Sequence, residues 1–297
     1  MGFSGLFKPQ YLLQPHQLLR RMKWEFGYRP QSRNVVIMPW QLPLIIDTQE
    51  AIGRAIWLQG VYDPIVTEVL WRLTQLGDFV IDVGANFGYT ASIFSARAGG
   101  QGRVYAFEPH PLVYDLLRQN ASEWGRLGDA AKVFISPTGI SDRDGDASLH
   151  LNADFAMNRG GSSIQEDRRE PGGETLLIKI NRLESVIPRT SPIAIMKVDV
   201  EGHELKVFSG MGALLHSKLV RDIVFEEKSP YPAQTHRFLE AAGYTLFGLD
   251  STFWGVRLVP PDSPNRQKYF EPNFIATLDQ KWVEKTFHSK GWKSLKG

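Results

Sequence analysis

The chain has 297 residues, 42% of them apolar, which suits one large domain or two small ones with a sizeable core. Its 34 Lys and Arg against 32 Asp and Glu leave a net charge of +2, so no global charge bias points to nucleic acid. With no cysteine, disulfide frameworks, thiolate nucleophiles and thiolate-ligated metals are excluded.

Residues 1–60 read as an irregular arm, with Pro9, Pro15, Pro30, Pro39 and Pro43 as breakers. Lys8, Pro9, Gln10 and Gln14 interrupt any signal-peptide core, and no apolar run reaches the roughly 18 residues of a spanning helix. The expectation is a cytoplasmic protein. Residues 1–33 carry Lys8, Arg20, Arg21, Lys23, Arg29 and Arg33 against Glu25, a net of +5, interleaved with Phe3, Phe7, Tyr11, Leu12, Leu18, Leu19 and Trp24. This segment reads as an arm packed on the main domain, with peripheral membrane contact as the alternative.

From Pro64 a helical pattern begins, with Ile65, Val69 and Leu73 at fourfold spacing, and Gly77-Asp78 closes it. Strand and helix then alternate. Strands are predicted over 79–83, 104–107, 132–135, 193–200 and 222–225, and helices over 89–98, 111–124, 203–215 and 235–242. Residues 147–151 and 176–180 resemble edge strands, and 245–249 with 256–259 a terminal antiparallel pair. This order predicts an α/β fold, Rossmann-like, with a mostly parallel sheet and helices on both faces. The domain spans 61–260. Residues 261–297 read as a C-terminal tail, of which 281–297, with Lys281, Lys285, Lys290, Lys293, Lys296, Trp282 and Trp292, form a surface tail or docked helix.

Chemistry concentrates at predicted strand ends, where such sheets bind ligands. Asp82-Val83-Gly84-Ala85-Asn86-Phe87-Gly88 follows a strand and opens a helix. Gly84 and Gly88 let the backbone approach a ligand, and the helix start offers free N–H groups. A dinucleotide fingerprint would need a glycine where Asn86 stands. Asp82, two residues before Gly84, would repel a pyrophosphate but suit the ammonium of a methionine moiety. The pattern favours S-adenosylmethionine over NAD. Glu108-Pro109 ends the second strand, 24 residues after Gly84, where an acid accepts from both ribose hydroxyls. In Lys197-Val198-Asp199-Val200-Glu201-Gly202-His203-Glu204, Asp199 closes a strand beside the cofactor. Asp199 and Glu201 read as catalytic, Glu204 as a helix cap, and His203 as either.

These motifs resemble the FkbM methyltransferase family in order and spacing over about residues 60–250. Asp82–Gly88, Glu108-Pro109, Gly139-Ile140-Ser141-Asp142, Gly161-Ser162-Ser163 and Lys197–Gly210 carry the likeness. The resemblance implies a class I S-adenosylmethionine-dependent fold and O-methylation of a small-molecule or glycan acceptor. It places adenine near Ser141. One departure is Asn181-Arg182-Leu183-Glu184, where the family often has Leu-Asp-Asp before the fourth core strand. Residues 156–174, polar and Gly-rich with Arg159, Ser162, Ser163, Arg168 and Arg169, read as a lid over the site. The alternatives are an N-methyltransferase, a nucleotide-binding module without chemistry and, more remotely, an NAD-dependent oxidoreductase. No spacing demands a metal.

Overall fold

The computed structural model describes residues 9–164, 174–188, 191–263 and 272–296. It opens on two short helices, α1 (Pro9–Leu13) and α2 (Pro15–Glu25), a hairpin of β1 (Arg33–Ile37) and β2 (Pro43–Asp47), and α3 (Ala51–Gln59). The N-terminal segment is therefore regular where an irregular arm was expected. Three of its prolines start elements instead of breaking them: Pro9 opens α1, Pro15 occupies the first turn of α2 and Pro43 opens β2. Met38, Trp40, Leu44 and Ile46 are buried in the same core cluster as residues of the central strands.

Helix α4 (Pro64–Leu73) is capped by Asp63, whose carboxylate accepts from the Ile65 and Val66 N–H groups. There follow β3 (Phe79–Val83), α5 (Tyr89–Ala98), β4 (Arg103–Phe107), α6 (Pro111–Gly125) and β5 (Lys132–Ser136). Next come β6 (Gly139–Ile140), β7 (Gly145–His150), β8 (Ser163–Ile164), β9 (Thr175–Asn181) and α7 (Leu183–Val186). The chain continues through β10 (Ile193–Val198), α8 (Glu204–Ser209), α9 (Gly212–His216), β11 (Val220–Glu226) and α10 (Gln234–Ala241). It closes with β12 (Thr245–Thr252), β13 (Gly255–Val259), β14 (Asn273–Thr277) and α11 (Gln280–His288).

The main sheet has the order β13-β12-β14-β11-β10-β3-β4-β5. The five strands from β5 to β11 run parallel, and β14 lies antiparallel between β11 and β12. This is the expected Rossmann-like α/β fold. Alternate strand residues feed opposite faces. Val80, Val104, Ile195 and Val224 join Val69, Phe94 and Trp124 in one core, whereas Ile81, Met196, Ile223 and Phe225 join Phe208, Leu214 and Leu239 in the other.

The C-terminal segment, expected as a tail with a surface or docked helix near its end, supplies β14, every residue of which is buried. Its residues 289–294 are held by α4. Glu68, fully buried and ion-paired with Arg72, accepts from the N–H groups of Lys293 and Ser294, while Arg72 donates to the carbonyls of Ser289 and Gly291. The terminal antiparallel pair is present as β12 and β13, at the sheet edge. The single helix expected over 203–215 is split into α8 and α9. There Gly210 passes the backbone of Ser141 so closely that a Cβ would lie 2.0 Å from its carbonyl oxygen.

The two expected edge strands belong to a second sheet, of order β6-β9-β7-β8. Its own small core holds Leu149, Leu151, Ile164, Ile178 and Ile180. Through β8 and Ile164 this sheet reaches the carboxyl ends of β3, β4 and β10.

Candidate active site

The loop after β3 is shaped by tight backbone approaches. Gly84, at φ 79°, donates to the Phe107 carbonyl, and a Cβ on it would sit 1.9 Å from the main-chain oxygen of Asp199. Its glycine is thus imposed by the crossing of β3 and β10, before any ligand is considered. Gly88, at φ 98°, is the N-cap of α5, and a Cβ there would press on Leu117 and Trp124 at 2.8 and 2.9 Å. It borders neither cavity described below. Asn86 turns the chain at φ 49°, a left-handed conformation that asparagine tolerates. Its amide oxygen accepts from the Phe87 N–H at 2.7 Å.

Beyond this loop lies a narrow cleft of about 60 Å³, lined by Gly84, Asn86, Glu108, Ile140, Ser162 and Asp199 among others. Glu108 is 8% exposed. One carboxylate oxygen accepts from the Asn86 N–H at 3.0 Å and the other from the His110 N–H at 2.8 Å. Each oxygen keeps lone-pair capacity for one more donor. Burial pushes this carboxyl up to about 7, against the pull of those two N–H groups. Ser162 also lines the cleft, and its hydroxyl is buried with no hydrogen-bond partner among the described residues.

A second cavity shares Gly84, Asn86, Gly160 and Asp199 with the first and adds Tyr62, Glu201, Glu226 and Lys228. Lys197 and Asp199 point to one side of β10 because they are two residues apart, and Lys197 Nζ lies 2.9 Å from Asp199 Oδ2. Burial works to lower the pKa of Lys197, but Asp199, Asp82 and Glu226 outweigh it and leave it raised. Glu201, at φ 54°, is ion-paired with Lys228 at 2.7 Å. Glu226 ends β11 and lies 3.4 Å from Lys228 Nζ. Burial and then the Asp199 and Glu201 carboxylates push Glu226 up to about 8.

Other expected residues fall elsewhere. Asp82 borders neither cavity. It is fully buried, accepts from the Thr90 hydroxyl and sits opposite Lys197 across the β3–β10 register. Burial raises its pKa to about 6. Ser141 and His203 are buried against each other, Ser141 Oγ lying 2.9 Å from His203 Nε2, and neither borders either of these two cavities. With the Lys206–Asp142 ion pair they join the end of β6 to α8. In the divergent stretch, the Arg182 N–H donates to Asp144 and Glu184 accepts from the Ala213 N–H, away from both cavities.

Arg159 and Ser162 line the first cleft, whereas Ser163 pairs with His150 in β8. Arg159 is ion-paired with Asp47 at 3.0 Å, and the Met157 carbonyl accepts from the Ala51 N–H. Residues 156–164 are therefore anchored over the cleft. The remainder of the proposed lid that includes Arg168 and Arg169 lies outside the described residues. Glu226, Lys228 and Tyr62 were missed in the sequence. Glu226 had a signal, since it ends an apolar strand as Asp199 does.

The family model described as the methyltransferase FkbM domain matches residues 82–246, just over half of the chain. The chain belongs to the FkbM methyltransferase family. This family member is 29% identical over 219 residues to methyltransferase sdnD of Sordaria araneosa, covering 63% of this chain and 82% of that protein. It is 31% identical over 183 residues to the hexuronic acid methyltransferase AglP of Haloferax volcanii, covering 58% of this chain and 65% of that one. The crystal structure of methyltransferase FkbM from Methylobacillus flagellatus KT aligns at 12% identity with a TM-score of 0.40, over 77% of this chain and 56% of that chain. This FkbM-family chain is a methyltransferase with a Rossmann-like fold. Among its described residues no helix is long and apolar enough to cross a membrane.

Proposed function

We propose that the enzyme transfers a methyl group from S-adenosylmethionine to a hydroxyl of a sugar, glycan or related natural product. The groups lining the first cleft suit that cofactor. Glu108 has two oxygens each able to take one more hydroxyl donor, and Ser162, whose hydroxyl is unpartnered among the described residues, lines the same cleft. Ile140, Leu149 and Ile164 give the same cleft an apolar wall suited to adenine. Asp199, where the two cavities meet, offers a carboxylate to an ammonium group. When bound, S-adenosylmethionine supplies an electrophilic methyl carbon on a cationic sulfur.

The observation that carries hydroxyl methylation is the placement of Glu226 beside Asp199 and Glu201 in the adjoining cavity. A hydroxyl that bonds to the methyl carbon must lose its proton. Glu226, with a pKa raised towards working pH, is matched to accept it. Asp199 and Glu201, each held by a lysine, orient the acceptor. Residues 156–164 cover the junction and exclude water. The relation to AglP, named for a hexuronic acid, supports a sugar acceptor.

The test is methyl transfer from labelled donor to a panel of sugars, uronic acids, glycans, phenols, amines and peptides. Hydroxyl acceptors should be methylated, with the rate rising as pH climbs through about 8, because Glu226 must be ionised to take a proton. Glu226→Gln should lose about 10²–10⁴-fold in turnover and the pH step with it. Methylation of amines alone would replace this reading with N-methylation, and donor binding without any transfer would replace it with a binding module.

A further inference from the structure

The N-terminal helix α2 has its polarity inverted. Positions 15, 19, 22 and 26 form one helical stripe, and Pro15, Leu19, Met22 and Phe26 on it are all exposed, Leu19 by 61% and Phe26 by 86%. The protein-facing side is polar. Gln14 and Gln17 are buried, Arg20 stacks on Trp57 of α3, and Arg21 donates to the Tyr11 hydroxyl. A helix that only covered a core would be the other way round. Leu12 and Leu13, just before it, are exposed as well.

A second apolar protrusion is the turn between β12 and β13. Thr252 pairs with Gly255, so the loop is the two residues Phe253-Trp254. Such turns favour Asn-Gly or Asp-Gly, yet this one presents two aromatic rings, Trp254 66% exposed. The two protrusions are joined through the C-terminal segment. The Gly291 N–H donates to the Trp254 carbonyl, the Trp292 ring N–H to the Phe253 carbonyl, and the Gln14 amide to the Leu295 carbonyl. Gly291 and Leu295 are four residues apart, a span of about 14 Å at most.

The charge around them is one-sided. Residues 290–296 carry Lys290, Lys293 and Lys296, all exposed, and no acid. Residues 9–33 carry five cations against Glu25. We propose that this surface, made by α2, the Phe253-Trp254 turn and the C-terminal lysines, docks the enzyme on an anionic lipid bilayer. Apolar side chains on a helix flank and a hairpin tip can enter the interface without a shaped partner, and lysines alongside reach phosphate headgroups. A protein partner would need about 1,000 Å² of complementary surface, and protruding tips offer a poor base for that. The inference is independent of the acceptor and of the proposed chemistry.

The test is flotation of the full chain with phosphatidylcholine vesicles, with and without phosphatidylglycerol. The chain should bind the anionic vesicles and be released by high salt. Binding should fall about tenfold or more in the double variant L19S/F26S, in W254S, and in the triple variant K290Q/K293Q/K296Q. All of these positions are exposed, so melting temperature should hold. Absence of binding to anionic vesicles at low salt overturns the proposal. So does binding that none of the three variants weakens. A wild-type dimer that L19S/F26S dissociates, with no vesicle binding, assigns the helix face to a second copy and overturns it too.

Discussion

Glu108 permits the sharpest test of the cofactor cleft. Its carboxylate takes one main-chain N–H on each oxygen and is held near 7 by burial, against an ordinary value near 4.5. A ribose diol would donate to the ionised form. Losing a hydrogen bond to a charged group costs about 1.5–3 kcal/mol, so Glu108→Ala should weaken binding of S-adenosylhomocysteine about 10- to 150-fold. Because the free carboxyl is mostly protonated below about 7, binding there must expel a proton. Affinity should therefore be about tenfold lower at pH 6 than at pH 8. Stability moves the opposite way. The folded state holds this proton more tightly than the unfolded chain, so stability is full below about 4.5 and is lost as pH rises to about 7, by up to about 3 kcal/mol. Calorimetry in two buffers of different ionisation enthalpy counts the released proton. Unchanged affinity in folded Glu108→Ala, or a wild-type affinity independent of pH, refutes the assignment.

Gly84→Ala should cost about 3 kcal/mol or more in urea unfolding, because its Cβ would lie 1.9 Å from a backbone oxygen at a positive φ. Gly202→Ala, also at positive φ but with open space around its Cβ, should cost only about 1 kcal/mol. His203→Ala should lower stability by about 1–3 kcal/mol through its lost partner Ser141, while the shape of the pH–rate profile stays the same. Asp47→Ala removes the ion pair to Arg159, and hydrogen exchange should quicken across residues 157–164 as their anchor over the cleft is loosened.

Part of the lining of the candidate site was legible because these residues sit at strand ends. An apolar run, then an acid, then a glycine marks where a parallel sheet presents its ligand edge, and Glu108 and Asp199 stand there in the fold. Proximity in sequence misled at His203. It neighbours Glu201 in the chain, but the start of α8 turns it inward onto Ser141, 62 residues away. The reason for Gly84 was equally hidden, since it lies in the backbone of Asp199 on another strand. The N-terminal hairpin was obscured by prolines that serve as first residues of elements. β14, Asn273–Thr277, had a short apolar signal in Phe274, Ile275 and Ala276 after Pro272, but nothing local placed it between β11 and β12.

The arrangement of charge explains how neighbouring acids in one mouth can take different roles. Lys197 and Asp82 face each other across the β3–β10 register, and Lys197 and Asp199 share one side of β10. One buried ammonium is thereby set among carboxylates and pairs with Asp199 at the junction of the two cavities. Lys228 pairs with Glu201 from the far side. Glu226 lies beside both acids, and burial together with their carboxylates pushes its pKa up to about 8. Under the proposed function, the lysine-paired carboxylates are suited to holding ligands and the crowded one to exchanging a proton. Three strands contribute that pattern, β3, β10 and β11, each with a polar residue at the end of a buried apolar run. The chemistry proposed for this enzyme thus follows from where parallel strands end and from the order in which the sheet sets them side by side.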